Sequence, residues 1–145
     1  MRSIAFITKE DLPFLCRLEE RLFSDPWSEN ALLSWLDQSG AKGYLLKEDG
    51  VPLAYALFQG ACGEGELLRC GVVPERKRQG LAFALLSFAL EDAKKESFSR
   101  IFLEVRSENL PAKNLYEKLG FGLLGMRKNY YQKPLDHALI YEKIL

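Results

Sequence analysis

Apolar positions along the chain change period several times, and each change marks an element. A short β-type run, Ser3 to Ile7, comes first. Thr8, with Asp11 in the first turn, then opens a helix. Leu12, Leu15, Cys16, Leu18, Leu22 and Phe23 recur at helical spacing to about residue 23. Ser24-Asp25-Pro26 breaks that helix, and after Trp27 the run Ser28-Glu29-Asn30 starts another, carrying Leu32, Leu33, Trp35 and Leu36. The period then becomes strand-like. Tyr44 to Lys47 and Leu53 to Gln59 flank Glu48-Asp49-Gly50, a hairpin signal. Cys62-Gly63-Glu64-Gly65 predicts a second turn, and Leu67 to Val73 a third strand. Pro74 to Gly80 follows neither period. From there Leu81, Leu85, Leu86, Ala89, Leu90 and Ala93 form the buried stripe of a long helix, with Glu91, Asp92, Lys94 and Lys95 outside it. Ile101 to Val105 is an apolar strand interrupted by one acid, Glu104. Asn109 caps a short helix in which Leu115 and Leu119 stand at i,i+4, and Gly120 suits its end. Phe121 to Leu124 and Leu139 to Ile144 read as two closing strands. A strand-rich start followed by β-α-β-α-β-β predicts an α/β (α+β) domain spanning 1–145, with a mixed sheet and helices on both faces.

Composition narrows the function classes. With 145 residues the chain has the length of one domain, and 48% hydrophobic with 28% charged residues is ordinary for a globular protein. Twenty basic and twenty acidic residues cancel, so no global positive field attracts nucleic acid, and any anion site must be local. Cys16, Cys62 and Cys70 are scattered and His137 is the only histidine, which argues against a metal site. No stretch has the roughly 20 apolar residues of a membrane span. The N-terminus, Met1-Arg2-Ser3-Ile4, turns charged and helical too soon for a signal peptide. A cytoplasmic location is expected, with no membrane partner.

Three segments carry candidate chemistry. In Val72-Val73-Pro74-Glu75-Arg76-Lys77-Arg78-Gln79-Gly80-Leu81-Ala82 a strand ends, a basic loop follows and a helix begins at once. The unpaired N–H groups of a helix start attract phosphate oxygens, Gly80 with small Ala82 leaves room for a diphosphate, and Arg76, Lys77 and Arg78 add mobile cationic heads. The other reading is a solvated basic loop, since the spacing is neither a P-loop nor a dinucleotide fingerprint. In Leu103-Glu104-Val105-Arg106, alternation points Glu104 away from its apolar neighbours. It is either a base in a cleft or one half of an ion pair on an open face. Tyr116, about 100° around the helix from Leu115, sits at the core margin, where a phenol packs its ring and can expose its hydroxyl.

Together, in this order, these segments resemble the GCN5-related N-acetyltransferase superfamily over essentially the whole chain. Asp25-Pro26-Trp27-Ser28, Leu103-Glu104-Val105-Arg106 with Asn109, Leu115-Tyr116 through Gly120-Phe121, and Arg127-Lys128-Asn129-Tyr130-Tyr131 are similar to the RimI family, bacterial acetyltransferases of a ribosomal protein's N-terminal alanine. The resemblance implies a sheet splayed between its fourth and fifth strands, and acetyl-CoA as donor cosubstrate with no metal. It implies pyrophosphate contacts at Lys77, Arg78, Gln79, Gly80, Leu81, Ala82 and Phe83. It implies pantetheine pairing along Cys70, Gly71 and Val72, and a further cofactor contact at Asn109. Gly71 would mark a bulge in that strand. Glu104 becomes the general base and Tyr116 the general acid of direct transfer in a ternary complex, so no cysteine need be a nucleophile. Trp27, Tyr130 and Tyr131 become the acceptor side, with packing of a helix–helix loop and a strand end as the other reading.

Two positions depart from the family pattern. Lys77 stands where Gln or Arg is usual, which loses planar bidentate geometry toward phosphate. Ala82 replaces the second glycine. The expected partner is an acceptor protein N-terminus, with a ribosomal protein as the family's example. A small amine such as a polyamine or aminoglycoside is a second acceptor class, and a non-catalytic acyl-CoA-binding module a third reading. The expected assembly is a monomer or weak dimer, with a free Leu139 to Ile144 strand available for pairing across a dimer.

Overall fold

Strand alternation sorts the side chains onto two faces of one sheet, and each face recruits its own pair of helices. A computed structural model describes all 145 residues. Seven strands, β1 (Arg2–Phe6), β2 (Ala41–Glu48), β3 (Val51–Ala61), β4 (Glu64–Val72), β5 (Arg100–Arg106), β6 (Gly122–Gln132) and β7 (Leu135–Ile144), stand in the order β1-β2-β3-β4-β5-β7-β6. Four helices are α1 (Leu12–Leu22), α2 (Glu29–Leu36), α3 (Leu81–Lys95) and α4 (Leu110–Lys118). Every neighbouring pair of strands is antiparallel except β4 and β5, which are joined by the α3 crossover and run parallel.

The helix starts are where the sequence puts them. The Thr8 N–H donates to the Asp11 carboxylate at 2.8 Å at the entrance to α1. Ser28 Oγ accepts from the Ala31 N–H at 3.1 Å, and Asn109 Oδ1 from the Ala112 N–H at 3.2 Å. The α3 stripe Leu81, Leu85, Leu86, Ala89, Leu90 and Ala93 is buried against Tyr44, Leu46, Ala54, Ala56 and Phe58 and against Ile101, Leu103 and Val105 of β5. On the opposite face Leu12, Leu15, Leu18, Leu32 and Trp35 pack on Leu45, Tyr55 and Leu57. No residue of β5, β6 or β7 belongs to that second cluster. The α1–α2 face of those three strands is therefore left uncovered.

Three local expectations change. The closing strands are far longer than Phe121 to Leu124 and Leu139 to Ile144. β6 extends to Gln132 as an outer strand whose side chains are almost all exposed, so it carries no alternation to read. Asn129, at φ +53°, bulges out of β6, and its N–H is held by His137 Nδ1 at 3.0 Å. The strand from Leu139 to Ile144 is not free for a dimer, because β7 is inserted between β5 and β6 and is paired on both sides. Finally, the bulge in β4 is not at Gly71. Leu57 faces Arg69 while Phe58 faces Leu67, so Leu68 is the extra residue. Gly71 instead lets the strand approach Tyr55 and Leu22: an added Cβ would come within 2.7 Å of the Tyr55 ring and 2.8 Å of Leu22 Cδ1.

Beyond the Leu68 bulge β4 leaves its parallel partner. Glu64 to Leu67 pair with Arg100 to Leu103, and after that β4 stays with β3 alone. The sheet opens there as a V, between the fourth and fifth strands as expected.

Candidate active site

The V has one bare backbone wall. Cys70, Gly71 and Val72 pair with Ala56, Tyr55 and Ala54 of β3, and no strand stands on their other side. Their backbone groups toward β5 behave as a sheet edge, ready to pair with an extended ligand carrying amides. Burial pushes the Cys70 thiol up to about 12, so it carries no thiolate near neutral pH.

Past the end of β4 the chain turns into α3. Arg78 (φ +63°) and Gly80 (φ +77°) both adopt left-handed backbone, which turns the chain sharply into the helix. Gly80 has no side chain to cap α3, and the first helical bond runs from the Ala84 N–H to the Gly80 carbonyl at 3.0 Å. The N–H groups of Leu81, Ala82 and Phe83 are thus left pointing outward, with the positive end of the helix dipole behind them. Nothing lies within 4 Å of where a Gly80 Cβ would stand, so the space before the helix is open. The three basic residues of the loop are not equivalent. Arg76 donates to Glu48 at 2.8 Å and to Gln79 Oε1 at 2.6 Å, so it is a fixed brace rather than a mobile cationic head. Lys77 and Arg78 are exposed and enter no ion pair with the protein. Donor amides, two free cations and open space fit an anion such as a diphosphate.

Glu104 lies on the uncovered face, where β5 begins to diverge from β4. It lines an open cleft of about 490 Å³ together with Gln59, Glu66, Phe102, Arg127 and Ile140. Glu104 faces this cleft and also pairs with Arg127 at 3.3 Å. Glu66, one strand away on β4, enters no ion pair. Although its side chain is exposed, partial desolvation in the cleft and then the Glu104 charge push its carboxyl above the usual range, with Arg127 opposing. The sequence reading missed Glu66 because its significance depends on the neighbour that the sheet supplies.

Tyr116, on α4, faces the other side of the sheet, with its ring against the α3 core and edge-on to Phe121 at 5.9 Å between centroids. The hydroxyls of Tyr44, Tyr55 and Tyr141 bond Asp92, Glu19 and Glu117, whereas that of Tyr116 has no protein partner. Burial first, and the Cys70 sulfur second, hold its phenol well above the usual range. Tyr116 and Cys70 share one face, Glu104 and Glu66 the other, and the gap of the V lies between.

The loops complete the uncovered face. Trp27 lines a second hollow of about 240 Å³ with Ala31, Trp35, Gln59 and Leu68, and Gln59 is common to this hollow and the Glu104 cleft. Tyr131 is half-buried at the far end of β6. Desolvation, the Glu104 charge and, to a lesser degree, Tyr130 and Asp25 raise its phenol, while Arg106, stacked 4.1 Å from its ring centre, opposes them. Tyr130 packs edge-on to Tyr131 at 5.2 Å and is itself about half exposed. Asp136, nearly buried, ties this hairpin to the start of α4. It accepts from the Ser107 hydroxyl, from the Glu108 N–H at 3.3 Å and from the His137 N–H at 2.7 Å. Those bonds, Ser107 foremost, hold its carboxyl below the usual range. Asn109 spends its side-chain oxygen on the α4 cap, which leaves its amide nitrogen for any ligand contact.

The chain is similar to known proteins along nearly its whole length. Residues 12–121 match the model of the acetyltransferase (GNAT) family. The chain is 35% identical over 133 residues to the [ribosomal protein bS18]-alanine N-acetyltransferase of Escherichia coli strain K12, covering 90% of this chain and 88% of that protein. The crystal structure of the E. coli ribosomal-protein-S18-alanine N-acetyltransferase superposes with a TM-score of 0.93 at 32% identity, over 99% of this chain and 94% of that one. The fold also matches Ard1 from Thermoplasma volcanium, with a TM-score of 0.89 at 20% identity, covering 99% of this chain and 97% of that one.

Proposed function

The chain belongs to the acetyltransferase (GNAT) family, and on that premise we propose that it transfers acetyl from acetyl-CoA to a protein's N-terminal α-amine, in particular an alanine of a ribosomal protein. One observation carries the reading: an unpaired backbone edge at Cys70–Val72 separates a cleft carboxylate, Glu104, from an unbonded phenol, Tyr116. The anion-binding entrance of α3 lies just beyond that edge. Acetyl-CoA supplies an activated thioester. The amides of Leu81, Ala82 and Phe83, with Lys77 and Arg78, meet its pyrophosphate, backed by the Gln79 and Gly80 backbone. Cys70, Gly71 and Val72 pair with its pantetheine, and Asn109 offers its side-chain amide.

The chemistry follows from where the charges form. An α-ammonium has a pKa near 8 and must shed a proton before nitrogen attacks. Glu104 takes that proton on the acceptor face. The new N–C bond forms, and an N–H of the β4 edge meets the charge growing on the carbonyl oxygen. The C–S bond breaks as the nitrogen gives its surplus proton to solvent, from which the Tyr116 phenolate is afterwards reprotonated. Tyr116 keeps its proton across the neutral range and presents it to the departing sulfur. With acceptor and donor on opposite sides of one gap, transfer is direct within a ternary complex. Trp27, Tyr130 and Tyr131 wall the groove that takes the acceptor's first residues. A ribosomal-protein acceptor places the reaction in the cytoplasm.

Glu66 beside Glu104 supports a second reading, because two acids in one cleft also suit a polycationic small amine. The deciding experiment incubates purified protein with acetyl-CoA and either spermidine or peptides beginning with Ala, Ser or Met, and follows CoA release. Release with Ala-initiated peptides is expected. Release with spermidine and none with any peptide overturns the N-terminal assignment.

A further inference from the structure

Glu19 is the most deeply buried charged residue, with no exposed surface, although it stands in the apolar stripe of α1 between Leu15 and Leu22. A carboxylate so placed must be met by donors. It receives the Tyr55 hydroxyl, Arg69 Nη2 at 2.5 Å, Arg69 Nε at 3.2 Å and the Trp27 backbone N–H at 2.9 Å. Arg69 is itself 13% exposed, stacks 4.1 Å from the Phe23 ring centre, and donates to the Asp25 carbonyl at 3.2 Å. Arg69 stands on β4 directly after the Leu68 bulge and directly before Cys70. One ion pair therefore grips the α1–α2 loop twice, at Asp25 and at Trp27, and fastens it to the strand whose free edge lines the V.

Stability alone does not account for this arrangement, since an apolar pair of similar volume serves a core as well or better. A forked guanidinium and a carboxylate fix distance and direction in a way that loop packing does not. We propose that Glu19 and Arg69 are positioning residues for the acceptor, holding the Asp25–Trp27 loop at a set height over the β4 bulge. Affinity for the acceptor depends on the pair, and affinity for acetyl-CoA does not. This inference rests on the acetyltransfer reading above.

The test is steady-state kinetics of the full chain with acetyl-CoA and an Ala-initiated peptide, with the melting temperature measured for every variant. Glu19→Gln and Arg69→Met are expected to raise the peptide KM about tenfold or more, with the acetyl-CoA KM within about twofold of wild type. Arg69→Lys keeps a cation beside Glu19 but loses the fork that reaches Asp25, and is expected to raise the peptide KM as well. Tyr55→Phe removes a donor to Glu19 that makes no hydrogen bond to the loop. It is expected to lower the melting temperature while leaving both KM values alone. A peptide KM that tracks melting temperature across all four variants, Tyr55→Phe included, marks a merely structural role and overturns the proposal. So does an unchanged peptide KM in Arg69→Lys. Wild-type protein that acetylates no peptide removes the acetyltransfer reading and the clamp with it, whereas an active wild type with unresponsive variants removes the clamp alone.

Discussion

At the scale of single residues, the two roles most exposed to test are those of Glu104 and Tyr116. Glu104→Gln keeps the shape of the side chain and removes the proton acceptor; Tyr116→Phe keeps the ring packing against Phe121 and removes the donor. Each is expected to cut turnover about 10²-fold or more, the usual worth of a positioned acid or base, while acetyl-CoA binding by calorimetry stays close to wild type. Unchanged turnover in both removes these assignments. Glu66 has a pH signature of its own. Its carboxyl titrates above the usual glutamate value of about 4.3, so its negative charge, and its pull on a cationic acceptor terminus, is gained as pH rises through that higher value. Peptide affinity is expected to tighten from about pH 4.5 to 7 in wild type and markedly less in Glu66→Gln; equal slopes refute the coupling. Of these residues Glu104 and Tyr116 stand out in the sequence, because one is the lone acid in an apolar strand and the other sits at a helix's apolar margin. Glu66, Arg69 and Glu19 were not: each acquires its meaning from a partner on a distant segment. Glu19 alone left a trace, as an acid inside the α1 stripe.

At the scale of elements, what the chain states locally is what the fold keeps. Caps at Ser28 and Asn109, the Asp49-Gly50 turn and the α3 stripe are all decided within a few residues, and all are found. Features set by the pairing of two strands were illegible. The β4 bulge falls at Leu68 because β3 fixes the register there, while Gly71 is spent on close approach to Tyr55. β6 gives no alternation because it packs on neither helix pair. The basic loop shows the same division. Three adjacent cations look alike in sequence, yet Arg76 is engaged by Glu48 and Gln79 while Lys77 and Arg78 are free. Lys77→Met and Arg78→Met are therefore expected to weaken acetyl-CoA binding and to flatten its salt dependence, since exposed cations act through a screened field. Arg76→Met is expected to leave the salt dependence intact and to lower the melting temperature, since its bonds to Glu48 and Gln79 brace the loop rather than face the ligand. Equal salt slopes for all three would contradict the assignment of the loop.

For the whole molecule, both layers on the sheet have the same chemical weakness, and it lies on the alkaline side. Tyr44 under α3, Tyr55 under α1 and Tyr116 on α4 are all held well above the usual phenol value, in each case chiefly by burial and, for the first two, also by a hydrogen-bonded carboxylate. A raised value in the fold means that above about pH 10 the unfolded chain has released protons which the native state still holds. Stability is thus complete below about pH 10 and declines as pH climbs from there toward the native values. The decline approaches ~1.4 kcal/mol per pH unit for each tyrosine that stays protonated in the fold. Because one of the three sits on the sheet face of α1 and the others on the face of α3 and α4, the loss is expected as one cooperative transition rather than as the shedding of a layer. Urea unfolding followed by far-UV circular dichroism between pH 8 and 11.5 measures it directly. Tyr44→Phe, which cannot ionise, is expected to start less stable, having lost its bond to Asp92, but to decline less steeply above pH 10. Stability that stays flat to pH 11, or an identical slope in Tyr44→Phe, would mean that the buried phenols do not govern the alkaline limit. In that case the proton that Tyr116 presents to the departing sulfur would lack the protection argued for it.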